Sequence, residues 1–587
     1  MVYLFFFSSL VSSFLFVSPK TIHAPLQKGV SLLFFVLFLF CFWKQRKAKF
    51  VPKKDSVTMD HQTKVLPRLV FVSALLFIVS SSYHAYELTN FFVNSFLFHD
   101  ADYIGISDVL LSVWEGKGYE SHYYSESVNG SYLEHHFAPG MFFLSPFVGL
   151  VPDRFGLALG VFFFYQLTVV FLILWSYQII QKNNPEISIP FLVIWVILTN
   201  QMYLYRIGSS FHFEILVVMF GSIFFYVWEK TKRITSKEID SKFVSPLTPL
   251  FTFFCLGICL FLFLIQKEDI GMYLILFLLP RFLFQIYKQV SEHKLSSWRD
   301  LFSVQKHPSF VLLTFILGIT IVYLCYVFVI YPYFHDMNSY LTWSRILRQD
   351  YHSSFKQVTS VTKSFQIYLE IVVSGGLGIF QMVLEILGVS LIYLTHFFSS
   401  RPWHHEVYSY YSYSLVPFLL YTGIVWAKSK RQVSLPFLYF ILACVFWRNS
   451  LDQNFPLATE SKEQWYDPKV QSEVVHDLHF VNEEMKQNPI QPSKEIIVFS
   501  QYNVSFLITE KAKVYPLTHL SNQSQICQGE RICYLVVAPN LTNQTLWPTK
   551  RILNHRDEVT SLPKTKLVWQ GKQVEVWNLS NPKEDRY

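Results

Sequence analysis

Charge is what this chain has least of. Only 15% of its 587 residues are Asp, Glu, Lys or Arg, where a soluble domain carries about 25%. Set beside 52% hydrophobic residues and 59 phenylalanines, that shortage excludes an ordinary water-soluble globule. Cysteine is also scarce, at seven. Five of these (Cys41, Cys255, Cys259, Cys325 and Cys444) lie inside apolar runs and read as small packing residues. There is no useful internal repeat, no low-complexity tract beyond the Phe/Leu bias, and no Gly-rich phosphate loop in the polar tail. The net charge of +8 is no sign of nucleic acid. Its Lys and Arg stand in short clusters beside apolar runs, as the positive-inside bias expects of cytoplasmic loops.

What is present is apolar length. Many runs reach the roughly 20 residues that cross a bilayer. The fold class expected is mainly α: a polytopic transmembrane helical bundle of about 10–13 spans, followed by a small α/β domain. Residues 1–58 form an N-terminal extension with apolar segments at 3–17 and 30–43, ahead of the basic stretch Lys44-Gln45-Arg46-Lys47-Ala48-Lys49. Residues 59–449 are the transmembrane domain and 450–587 the soluble tail.

The basic clusters set an orientation. With 44–54 in the cytoplasm, the span 66–83 runs outward, and the first loop, 86–136, is extracytoplasmic. Further cytoplasmic anchors stand at 229–242, 288–307 and 428–431. All are satisfied if 137–151, short and holding Pro139, Gly140 and Pro146, dips in as a broken helix instead of spanning. The count then places the turn at His212 and Glu214, the triplet Lys267-Glu268-Asp269, the loop with Arg345 and Arg348, and the segment with His404 on the outer face. The opposite face carries generic basic anchors. The expected location is the bacterial cytoplasmic membrane, with the tail outside.

In that tail, 495–499 and 532–537 read as buried strands and 566–577 as a hairpin turning at Gly571. Cys527 and Cys533 stand six residues apart. A disulfide between them and a reduced pair are both open readings. Six Asn-x-Ser/Thr sites, among them Asn129 and Asn503, all fall outside in this topology.

The candidate chemistry lies on the outer face. Asp100 and Asp102 open the first loop, and Tyr103, Ile106, Leu110, Val113 and Trp114 then recur at helical spacing up to Gly116 and Gly118. Asp102 is either the N-cap of that helix or a general base, or a metal ligand, held at the interface. His135 and His136 are adjacent, so they cannot both face one way, and His136 reads as an ordinary interfacial histidine. Lys267-Glu268-Asp269 has almost no loop around it. Charges squeezed between two spans are costly enough to suggest function, the bland reading being a self-neutralising Lys–Glu pair. Arg206, Arg345, Arg348 and Lys267 are available to phosphate.

In their order, these pieces resemble a bacterial family of membrane proteins of unknown function (domain of unknown function 2079), itself assigned to the GT-C class of polytopic glycosyltransferases. They are Asp102 with its helix, His135 to Pro139, Phe211-His212-Phe213-Glu214, Lys267-Glu268-Asp269-Ile270-Gly271, and 410–418 with Pro417. The resemblance implies a sugar carried on a polyprenyl phosphate, transferred to an acceptor at the outer face by an inverting reaction. Asp102 or Asp100 would be catalytic. His135, His212, Glu214, Lys267, Glu268, Asp269, Arg345 and His404 would bind substrate. The partners implied are membrane lipid and the lipid-linked sugar, with no nucleic acid. The residues name no cofactor, although a divalent metal is compatible with the acids. A transporter or flippase of a lipid-linked or polar solute, and a non-catalytic scaffold, are the competing readings.

Overall fold

The computed structural model describes residues 102–120, 131–151, 155–183, 212–238, 247–291, 308–335, 383–397, 413–428, 468–487, 495–505, 507–508, 512–528, 531–541, 549–561 and 565–579, with six residues of 32–40. The rest of the leading segment and the expected spans 66–83, 189–205, 365–380 and 433–447 lie outside the described residues.

The chain is mostly helical, with one small sheet near its end. The bundle comprises α1 (Asp102–Trp114), α2 (Ser145–Leu150), α3 (Gly156–Asn183), α4 (Ile215–Glu238), α5 (Leu247–Leu264), α6 (Ile270–Ser291), α7 (Pro308–Cys325), α8 (Val383–Phe397) and α9 (Val416–Lys428). Among the described residues, two helices are long and apolar enough to cross a membrane: Ile270–Ser291, and α7 with its continuation, Ser309–Phe334. Shorter apolar helices surround them. Phe251, Phe254, Ile258 and Phe261 recur along an exposed side of α5, and Ile321, Val322 and Val329 along α7. Water tolerates few such contiguous apolar surfaces, whereas lipid suits them.

Packing inside the bundle relies on close backbone approach, because lipid offers no hydrophobic drive for helices to associate. At Gly388 on α8 a β-carbon would overlap the Phe277 carbonyl of α6, so the helices touch backbone to backbone there. Gly221 of α4 lies against the side chains of Pro417 of α9 and Phe263 of α5, with no room for a β-carbon. Four buried hydroxyls are satisfied within their own helices: Thr168, Ser222, Thr320 and Thr422 each donate to the carbonyl four residues back. Gly388→Val should force α6 and α8 apart and lower the stability of the detergent-solubilised protein by about 1–3 kcal/mol. Thermal unfolding against the unaltered chain measures this.

Segment 137–151 is broken, as its Pro and Gly content suggests: a 3-10 turn, Pro139–Leu144, leads into the short α2. The tail forms a five-stranded sheet of order β2-β1-β3-β5-β4, from β1 (Glu495–Ser500), β2 (Ala512–Pro516), β3 (Arg531–Val537), β4 (Lys566–Gln570) and β5 (Glu575–Asn578). β1 runs parallel to both β2 and β3, and β5 runs antiparallel to β3 and β4. Helices α10 (Pro468–Gln487) and α11 (Thr549–Thr560) accompany it. The β4–β5 hairpin turns at Gly571, where the Asp477 carboxylate of α10 accepts from the backbone N–H groups of Gln573 and Val574 at 2.8 and 3.1 Å. Cys527 and Cys533 are joined as a disulfide.

Parallel sheets of this kind usually take ligands at the carboxyl ends of the strands, where connections diverge to either side. At that end the chain is tied to itself. The Gln501 side chain, wholly buried, accepts from the Ala538 N–H at 3.0 Å and donates to the Leu541 carbonyl at 2.8 Å.

Candidate functional site

Two helices begin side by side. α4 starts after the turn at His212–Glu214, and α6 after the turn at Gln266–Asp269, so each turn lies at a helix N-terminus. The partial positive charge there favours nearby carboxylates. Glu214 and Asp269 occupy those positions, which is one physical reason this greasy bundle tolerates three acids so close together.

The two turns are joined by a buried ion pair. Lys267 Nζ donates to Glu214 Oε1 at 3.1 Å, and the other Glu214 oxygen lies 3.3 Å from His212 Nδ1. Glu214 and Lys267 are 2% and 3% exposed. Lys267 thus reaches across to the turn before another helix, while its charge also acts on its neighbour Glu268. Glu268 is instead paired with His136, whose Nδ1 lies 2.7 Å from Glu268 Oε1.

The 131–140 segment brings that histidine in. Tyr132 packs edge-on against Phe213, and Phe137 against Tyr331. Gly140 N–H donates to the Ile265 carbonyl at 2.8 Å, and the Gln266 amide lies so close over Gly140 that a β-carbon there would overlap it. Tyr119, just beyond α1, donates its hydroxyl to the Pro139 carbonyl. Of the adjacent histidines it is His136 that reaches Glu268, and the His135 ring stands nearly perpendicular to it, with centroids 4.6 Å apart.

Burial and charge compete at every acid. Burial opposes ionisation of Glu214, but Lys267 and His212 outweigh it and hold the carboxyl down at about 2. Burial likewise opposes the charge on Glu268, which His136 and Lys267 nevertheless keep ionised, its pKa lowered. At Asp269 burial wins, with Glu268 and Glu214 adding to it, and the pKa rises to about 6. Burial lowers the pKa of His136, and Glu268 more than reverses this to leave it raised. Buried oxygens on Gln266, Glu268 and Asp269 have no hydrogen bond among the described residues.

Asp269 gives a pH prediction. Its folded pKa lies above the ordinary 3.8, so the folded state binds the extra proton and stability falls as pH rises from about 4 to about 6. Asp269→Asn should remove that slope and leave the protein more stable than the unaltered chain at pH 7. Thermal unfolding across pH 4–8 reads both effects.

Asp102 stands in the first turn of α1, half-buried, on a helix that packs against 139–150 and α3. Asp100, Arg345 and His404 lie outside the described residues. Among the described residues, no three of His, Cys, Asp and Glu gather in an arrangement that could hold a metal ion.

A second charged array lies at the other end of these helices, where the sequence suggested only basic anchors. Arg281 of α6 pairs with Glu385 of α8, and Lys232 with Glu229 on α4. The Tyr421 hydroxyl of α9 joins them, donating to Glu229 and accepting from Lys232, each at 3.0 Å. Its ring stacks against both Phe225 and Trp228. Sequence reasoning passed over Glu385 and Arg281 as single charges in or beside apolar runs. The usable signal was that each sits within a helix that otherwise has almost no charge.

A helical bundle with a lipid-suited surface, a buried charged turn at one end and a small α/β tail is the class these features define. No family model and no curated protein matches the chain. Among solved structures, ArnT from Cupriavidus metallidurans bound to undecaprenyl phosphate is similar at 10% identity and a TM-score of 0.48, over 86% of this chain and 99% of that one.

Proposed function

We propose that this protein is a GT-C-like membrane glycosyltransferase, moving a sugar from a polyprenyl-phosphate donor to an acceptor at the outer face of the cytoplasmic membrane. The observation that carries the reading is the charged array itself. His212 and Glu214 on one turn, and Lys267, Glu268 and Asp269 on another 53 residues further along, belong to a single network at one end of the bundle. Such a network is costly beside a membrane and is retained where chemistry needs it.

In an inverting transfer, a base takes the proton of the acceptor hydroxyl as its oxygen attacks the anomeric carbon. The bond from that carbon to the phosphate oxygen breaks, and cations stabilise the charge left on the phosphate. Asp102 is the base the family resemblance points to, with Asp100 beside it. Arg345 and His404 complete the proposed substrate-binding set along with His135.

The test is transfer from a radiolabelled polyprenyl-phosphate sugar to endogenous acceptors in membranes carrying the protein. Glu214→Gln, which leaves Lys267 without its carboxylate partner, should reduce transfer while the protein still inserts in the membrane. Undiminished transfer by that variant would sink the site assignment.

One observation favours a transporter or flippase instead. The Arg281–Glu385 and Glu229–Lys232–Tyr421 array gives the far half of the same helices its own buried charge. Movement of a labelled lipid-linked sugar across vesicles containing the purified protein, with no transfer, would support that second reading.

A further inference from the structure

We infer that His136 is the proton acceptor of this site and that Glu268 is its positioning residue. The inference rests on the transfer reading above and gives the role of base to His136, which the sequence offered only as an interfacial histidine, in place of Asp102. The two ends of the ring are treated differently. Nδ1 faces inward and lies 2.7 Å from Glu268 Oε1. An ionised carboxylate only accepts hydrogen bonds, so the Nδ1 position must carry the proton. That leaves the Nε2 lone pair for the opposite side, where the side chain is 31% exposed and Nε2 has no hydrogen bond among the described residues. A base held through its second nitrogen by a buried carboxylate is the arrangement that fixes tautomer and ring orientation in proton-transfer sites.

The groups around the ring are consistent with this role. Tyr132 and His135 flank it with their rings at 6.1 and 4.6 Å between centroids. Lys267 opposes its protonation, and Glu214 joins Glu268 in favouring it. Asp269, one residue beyond Glu268, also interacts with His136. The net result is a histidine whose pKa is raised, toward the pH at which a base works best. Glu268 cannot itself be the acceptor, because it is 4% exposed and its available oxygen is buried.

The step balances simply. The acceptor O–H proton passes to Nε2, the acceptor oxygen bonds to the anomeric carbon, and the electron pair of the breaking bond leaves on the phosphate oxygen. His136 becomes an imidazolium whose charge Glu268 offsets.

Two measurements on the full-length protein in detergent test this. In the first, transfer is followed against pH for the unaltered protein, His136→Ala, Glu268→Gln and Asp102→Asn. His136→Ala should lose at least about a hundredfold, with partial restoration by added imidazole. Glu268→Gln should move the acid limb to lower pH, because a base that loses its carboxylate partner also loses the cause of its raised pKa. In the second, modification of His136 by diethyl pyrocarbonate is followed against pH by mass spectrometry. Its midpoint should fall in Glu268→Gln by the same amount as the acid limb of transfer, a match that a purely structural pair would not produce. Near-normal transfer by His136→Ala with none by Asp102→Asn overturns the inference and leaves the transfer reading standing. An unmoved midpoint also overturns it. No transfer by the unaltered protein overturns the transfer reading, and the midpoint alone then decides whether Glu268 positions His136.

Discussion

Lys267→Met should destabilise the folded protein by about 3–5 kcal/mol, the usual effect of removing one partner of a buried ion pair. The variant leaves Glu214, 2% exposed, without the ammonium 3.1 Å away. Glu268 and Asp269 then face it with no compensating cation from the triplet. The pH dependence carries a sign. In the unaltered protein, Glu214 titrates at about 2 when folded against an ordinary 4.5. It therefore contributes stability above about pH 4.5 that is lost as pH falls toward 2. Lys267→Met should abolish that contribution, so its deficit is largest at neutral pH and shrinks in acid. A double variant, Glu214→Met with Lys267→Met, should recover most of the loss, because an apolar pair leaves no charge to bury. Thermal unfolding in detergent, run at several pH values, distinguishes these outcomes. Equal stability of the single variant and the unaltered chain would show that Glu214 reaches another cation or water.

Arg281→Met should be comparably severe, again about 3–5 kcal/mol, because it strands Glu385, 5% exposed, in the helical interior. Arg281 also lies within reach of the Tyr421 hydroxyl at 3.5 Å and above the Trp228 ring. Its loss therefore loosens α6 from α8 and α9 together. Tyr421→Phe should cost less, about 1–3 kcal/mol, since it removes the hydroxyl but leaves each cation with its own carboxylate. If the array serves solute movement, Arg281→Met with Glu385→Met would regain stability and still block flux. If it is structural, the double variant would regain both. That contrast separates the two readings of the far end without reference to the near one.

Much of the fold was legible because it follows from local pattern. The helix beginning at Asp102 and ending before Gly116 showed in its apolar spacing, and Gly116 and Gly118 do adopt positive φ, of 76° and 79°. The break in 137–151 followed from Pro139, Gly140 and Pro146. The strands at 495 and 531 and the hairpin at Gly571 were readable from β-branched runs and turn chemistry. Even the importance of Lys267-Glu268-Asp269 was visible, since charge in a place without loop is expensive whatever surrounds it.

Pairing was another matter. From sequence, Lys267 had Glu268 as its nearest partner, and His136 had none. Glu214 takes Lys267 from 53 residues away, and Glu268 takes His136 from 132 away. Arg281 and Glu385, 104 residues apart, were unremarkable singly. Apolar length, helix breaks and strand pattern depend on neighbours within a few residues, and so the sequence by itself determined a charge-poor helical bundle with a small α/β tail. Which buried charge neutralises which depends on how helices from distant parts of the chain lie against one another. Contact between His136 and the charged array therefore appears in the packing and nowhere in the local pattern.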